Sequence, residues 1–182
     1  MPEGQTSINS RRGIQAWRVA LFVFVVASIV WLGAVNIRAF IGNELLKPGT
    51  VEFEDFINPQ AEREVYRLVS IASVVMMVGY ALATISGATF LATSPFRFKQ
   101  HGWLLMSAIL FFIFVPVEIY TLYLDWKMIY LEFYTTADTH SLRPLFRARV
   151  MALQGVPLIA LLCYYSIIAL AIFQPFRNLR AA

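Results

Sequence analysis

A chain of 182 residues in which 59% are hydrophobic and 14% charged cannot be a water-soluble globular domain, since such domains carry about 25% charged residues. Mean hydropathy is +0.64, and lipid is the solvent that fits. The net charge of +4 does not imply a nucleic-acid partner, because the 15 Lys and Arg residues sit at the ends of apolar runs and form no stripe that could track phosphates.

Cys163 is the only cysteine and lies inside an apolar run, which excludes an internal disulfide, a thiolate-held metal and a dithiol relay. Quinone-linked disulfide enzymes and claudin-like proteins, both of which need more cysteines, are excluded with them.

Four segments reach the roughly 20 apolar residues that a membrane crossing needs. They are residues 15–41, 66–92, 103–124 and 150–173. None shows a polar face at the helical period, and a lipid-exposed backbone must satisfy its own amides, so helices follow rather than strands. Within the first span the apolar stretch Val19–Val35 is preceded by Arg11, Arg12 and Arg18, is too long for a signal-peptide core, and lacks a small-residue cleavage site after it, so the span reads as uncleaved. Asn58–Pro59 reads as a helix N-cap followed by proline at the first helical position, so the second helix should begin there, ahead of the apolar stretch. The third helix is expected to continue to about Tyr134, with Trp126, Tyr130 and Tyr134 recurring along one face. Pro144 suits the first turn of the fourth helix, with Ser141 as its cap. Gly79, Ala83 and Gly87 fall four apart on the second helix and form a candidate packing ridge. With no repeat, low-complexity stretch or flexible linker, the expected fold is one all-α domain, a four-transmembrane-helix bundle whose second and third helices extend past the bilayer on the outer side.

Counts of Lys and Arg on the two sides are nearly equal, seven against eight. The arginines ahead of the first span and the short loop with Arg97 and Lys99 place both termini on the cytoplasmic side of a bacterial inner membrane.

Chemistry-bearing motifs are sparse. His101 and His140 fall at opposite membrane faces, so this chain alone cannot pair them as haem ligands or assemble a zinc site. Asp138, His140 and Ser141 lie too close in one loop to converge as a catalytic triad. Glu52, Glu54 and Asp55 read as a solvated acidic loop, loosely paired with Arg143, Arg147 and Arg149. No cofactor is expected.

Polar residues at membrane depth are more informative. Glu118 stands about 22 Å past Trp103, in the outer third of a core of about 30 Å. Asn36, Arg38, Arg67 and Gln154 fall at a similar level, and with Glu118 they form a candidate intramembrane cluster in which Arg38 or Arg67 pairs with the carboxylate. Three functional readings follow. The first is a non-catalytic accessory or structural subunit that associates with other membrane subunits, with copies of itself and with lipid. The second is a small oligomeric transporter or channel with Glu118 in its pathway, and the third a lipid-handling enzyme.

Cysteines introduced at Thr50 and Thr136 should react with an impermeant thiol reagent added outside intact cells, and one at Lys99 should not. Outside labelling at position 99 would reverse the orientation.

Overall fold

The computed structural model describes the backbone of residues 3–96, 98–135 and 139–175, with side chains from residue 16 onward except at 139, 140 and 154. The described residues form α1 (Glu3–Asn43), α2 (Pro59–Thr93), α3 (Gly102–Phe112), α4 (Val115–Tyr134), α5 (Thr139–Val150) and α6 (Val156–Phe173). A 3-10 turn over Ala152–Gly155 separates the last two. Four stretches are long and apolar enough to cross a membrane: Ala16–Asn43, Pro59–Thr93, Gly102–Tyr134 and Val156–Phe173. The fold is all-α, with no strand among the described residues beyond an isolated bridge between Leu46 and Phe53.

The chain divides into two compact units, Met1–Pro95 with Ile129–Thr139, and Phe96–Met128 with His140–Ala182. In the first unit α1 and α2 run antiparallel: Trp31 meets Gly79, Phe24 meets Gly87, and Trp17 meets Phe90. The closest approach is at Gly79. A Cβ there would stand 3.0 Å from the Trp31 Cβ and 3.1 Å from its Cα, so only glycine lets the two backbones come this near. The Trp31 ring lies against Tyr80, with centroids 4.9 Å apart, and Ala83 is fully buried one turn on.

Helix α2 begins where capping chemistry requires. The Asn58 side chain accepts from the Gln60 N–H at 3.0 Å, and Pro59 opens the helix, where its missing donor is not needed. At about 1.5 Å per residue its 35 residues measure about 52 Å, longer than a whole bilayer of about 40–45 Å. Its charged first turns therefore lie beyond the hydrocarbon. There Tyr66 donates to Glu62 at 3.0 Å, and both side chains are buried.

Between α1 and α2 the acidic segment folds back on itself. Lys47 N–H donates to the Glu52 carbonyl at 2.8 Å, and Gly49 supplies the left-handed residue of the turn. Asp55 hydrogen-bonds the Lys47 ammonium and raises its pKa, with Glu52 and Glu54 adding to the effect.

In the second unit α3 packs on α6, where Tyr164 receives Phe111 and Phe114 at centroid distances of 5.8 and 6.2 Å. Two departures from the sequence expectation stand out here. The third span is interrupted at Ile113–Phe114, and Pro116, which can donate no backbone hydrogen bond, falls in the first turn of the renewed helix. Pro144 lies inside α5 rather than opening a membrane helix, and α5 itself starts at Thr139. The fourth span begins afresh at Val156 with Pro157 in its first turn, so residues 150–155 fall outside it. Leu153 and Gly155, with φ of 52° and 91°, turn the chain out of one helix and into the next.

Gly79→Ala should destabilise more than Gly87→Ala, because the new methyl meets backbone at Trp31 but only the edge of the Phe24 ring at position 87. Overpacking of about 1–3 kcal/mol outweighs the gain in helix propensity of about 1 kcal/mol at position 79. Thermal unfolding in detergent measures both, and equal melting points would contradict this account of the ridge.

Candidate functional site

Helix α4 carries carboxylates at seven-residue intervals: Glu118, Asp125 and Glu132. Seven residues are close to two helical turns, so all three share a face, and Thr121 falls on it as well. The face is buried: Glu118 is 8% exposed, Thr121 1% and Asp125 0%.

Asp125 is the anchor of the second unit. Arg149, in the last turn of α5, donates from Nε to both Asp125 carboxylate oxygens at 3.1 Å. Its own side chain is nearly covered. The expected engagement of Arg149 with the acidic loop is replaced by this buried partner 24 residues away in sequence. In the first unit the corresponding brace is Arg63 to Glu132 at 3.3 Å, between the outlying ends of α2 and α4.

Glu118 is held differently. The Thr121 hydroxyl donates to the Glu118 main-chain carbonyl at 3.0 Å and stands 3.5 Å from its carboxylate. Tyr164 on α6 and Arg149 are both near enough to the same carboxylate to act on it electrostatically. Among the described residues of its unit no salt bridge to Glu118 is formed.

The other members of the sequence-derived cluster lie as follows. Asn36 is on α1, donating to the Leu32 carbonyl at 2.7 Å, and Arg38 is half-buried two residues further along. Arg67 is exposed on α2, beside Glu64 at 3.9 Å. These three belong to the first unit and Glu118 to the second. The Gln154 side chain lies outside the described residues, as do Asp138 and the His140 side chain.

Sequence reasoning passed over Asp125, Glu132, Arg63 and Tyr164, and assigned Arg149 a different partner. The seven-residue spacing of the three carboxylates was a usable signal, since it predicts one shared face on a continuous helix. The sequence reading used that continuous helix for its aromatic row and not for its carboxylates.

This arrangement defines a class: the chain is an integral membrane protein of the helical type, with four apolar spans and charged side chains buried between helices. Compared with protein-family models, curated proteins and solved structures, it matches none of them.

Removing one partner of a buried ion pair strands the other charge, typically at a cost of about 3–5 kcal/mol. Asp125→Leu and Arg149→Met should each lower the unfolding temperature strongly, and the double variant should lose far less than the sum. Additive losses would mean the two side chains are held by something other than each other.

Proposed function

We propose that the protein is a non-catalytic accessory subunit of a larger membrane complex, in a bacterial inner membrane with both termini cytoplasmic. The observation that carries this reading is the exposed aromatic row on the outer end of α4. Trp126, Tyr130 and Tyr134 are all at least half exposed, and Tyr130 and Tyr134 stack on each other at 5.7 Å. Aromatic side chains of this kind also form belts at lipid headgroup level, so length decides between the two uses. The row spans eight residue steps, about 12 Å of helix, while the headgroup region on one side of a bilayer is only about 5–7 Å deep. The row is therefore longer than a headgroup belt alone accounts for, and Tyr and Trp are residues that protein interfaces favour. The buried charges support the same reading, because Asp125–Arg149 and Glu132–Arg63 brace helices rather than gather at a reactive centre.

One observation favours the second reading, a small oligomeric transporter or channel. Glu118 is buried at membrane depth with no salt bridge among the described residues of its unit, on a span interrupted one turn before it. No nucleophile and base converge among the described residues in a way that favours a lipid-handling enzyme.

Extraction in a mild detergent should yield this chain with stoichiometric partner subunits. Tyr130→Ala with Tyr134→Ala should release those partners while leaving the melting temperature of the isolated chain within a few degrees. A partner-free species that moves ions or solutes across liposomes would replace this proposal with the transporter.

A further inference from the structure

In the first unit two hollows of about 400 and 520 Å³ lie between α1 and α2 and share Val23 and Leu82, so they form one groove. Its walls are exposed β-branched side chains, Val26 and Val30 on α1 and Val74, Val75 and Val78 on α2. Such side chains are stiff, so the groove keeps its shape without an occupant. Its floor is small, with Ala20 and Ala27 buried where the helices meet.

Length and polarity decide what fits. From Ala16 to Val30 on α1, and from Thr89 to Val74 on α2, the groove runs about 21–22 Å. Half of a bilayer of about 40–45 Å, headgroups included, has the same length. A partner's transmembrane helix would need a seam across the whole hydrocarbon core of about 30 Å, and the groove stops short of that.

The groove is also graded from end to end. The half lined by Val30, Val74 and Gly79 has no polar side chain in its lining, and the lining hydroxyls, Ser86 and Thr89, stand at the other end. That is the end where the apolar part of α1 begins: Trp17 lies against Phe90, and the exposed Arg18 places its guanidinium 5.4 Å from the Trp17 ring centre. Arg11 and Arg12 precede it in the sequence, and Arg97 and Lys99 follow the end of α2 by four and six residues. Acidic residues are scarce there, since the first 43 residues hold only Glu3 and none falls between Glu64 and Glu118. A groove one leaflet long, apolar within and basic at its mouth, complements a molecule with a hydrocarbon chain and an anionic head.

We infer that the α1–α2 groove seats an acyl chain of one anionic phospholipid, in the leaflet on the side where α1 begins, with arginines at that end holding the phosphate. The site belongs to the chain itself and does not depend on the accessory role, because lipid fills it in the isolated subunit as well.

The test uses the full chain in a mild neutral detergent, with native mass spectrometry counting retained lipid and melting temperature as a second readout. Palmitoyl-oleoyl phosphatidylglycerol is the probe, and phosphatidylcholine with the same chains is the control. Phosphatidylglycerol should be retained at one molecule per chain and raise the melting temperature by several degrees, because a ligand that binds only the folded state stabilises it. Phosphatidylcholine should do neither. Val78→Trp, at an exposed position, fills the groove and should abolish retention; Val26→Trp does so from the opposite wall should the first variant fail to fold. Arg11→Gln, Arg12→Gln and Arg18→Gln together leave the groove open and should weaken binding about fivefold for each charge removed. Equal retention of the two lipids would overturn the inference, as would phosphatidylglycerol binding that survives the groove-filling variants. So would a partner subunit that co-purifies with the wild-type chain and is lost from Val78→Trp, because a protein helix would then occupy the groove.

Discussion

Hydrocarbon offers a buried charge nothing to bind, and the organisation of the second unit follows from how Asp125 meets that demand. Its two oxygens share the Arg149 Nε at 3.1 Å, with no part of the aspartate side chain left exposed. A pair this deep is poor evidence of stability in itself, since apolar residues of similar volume often serve as well. Its strength is as a constraint on geometry. Once Asp125 is inside, α5 has to present Arg149 to it, and the chain then has to turn within six residues to start α6. The turn is made with Leu153 and Gly155 at positive φ and a proline at the head of the new helix.

The same constraint explains why the third span is not a plain hydrophobic rod. Glu118, Asp125 and Glu132 lie on one face at two-turn intervals, and each is met by a different kind of partner: hydroxyls, a buried guanidinium, and a half-covered guanidinium outside the apolar core. The gradation follows the local solvent. Where Glu132 lies beyond the hydrocarbon an ordinary surface arginine suffices. At Asp125 the partner is itself nearly covered, and at Glu118 the neighbour on the same helix is the Thr121 hydroxyl.

Packing in the first unit obeys a different rule. The close approach of α1 and α2 is permitted by the removal of side-chain volume. Gly79 lets the Trp31 backbone approach to about the contact limit, and the tryptophan ring then folds over Tyr80. Lipid tails are as apolar as these side chains, so closeness of fit rather than exclusion from water holds the helices together.

Much of this could be read from the chain alone. Composition and run length determine that there are four apolar spans, because a membrane selects on a property that is local in sequence. The start of α2 was equally legible: Asn58 and Pro59 act on the next three amides and need no tertiary partner. The Gly79, Ala83 and Gly87 spacing was visible, but the ranking of Gly79 over Gly87 depends on which α1 atoms lie opposite. Arg149 is the clearest case of what could not be read, since it stands among three arginines in a basic stretch and its partner is 24 residues earlier. Nothing local separates it from Arg143 or Arg147; the facing of α5 toward α4 does. Hydropathy, caps and helix periodicity are properties of neighbours along the chain, and they settled the elements. Which charge meets which, and where the fourth span restarts, depends on the three-dimensional register of helices, and only the tertiary structure decided it.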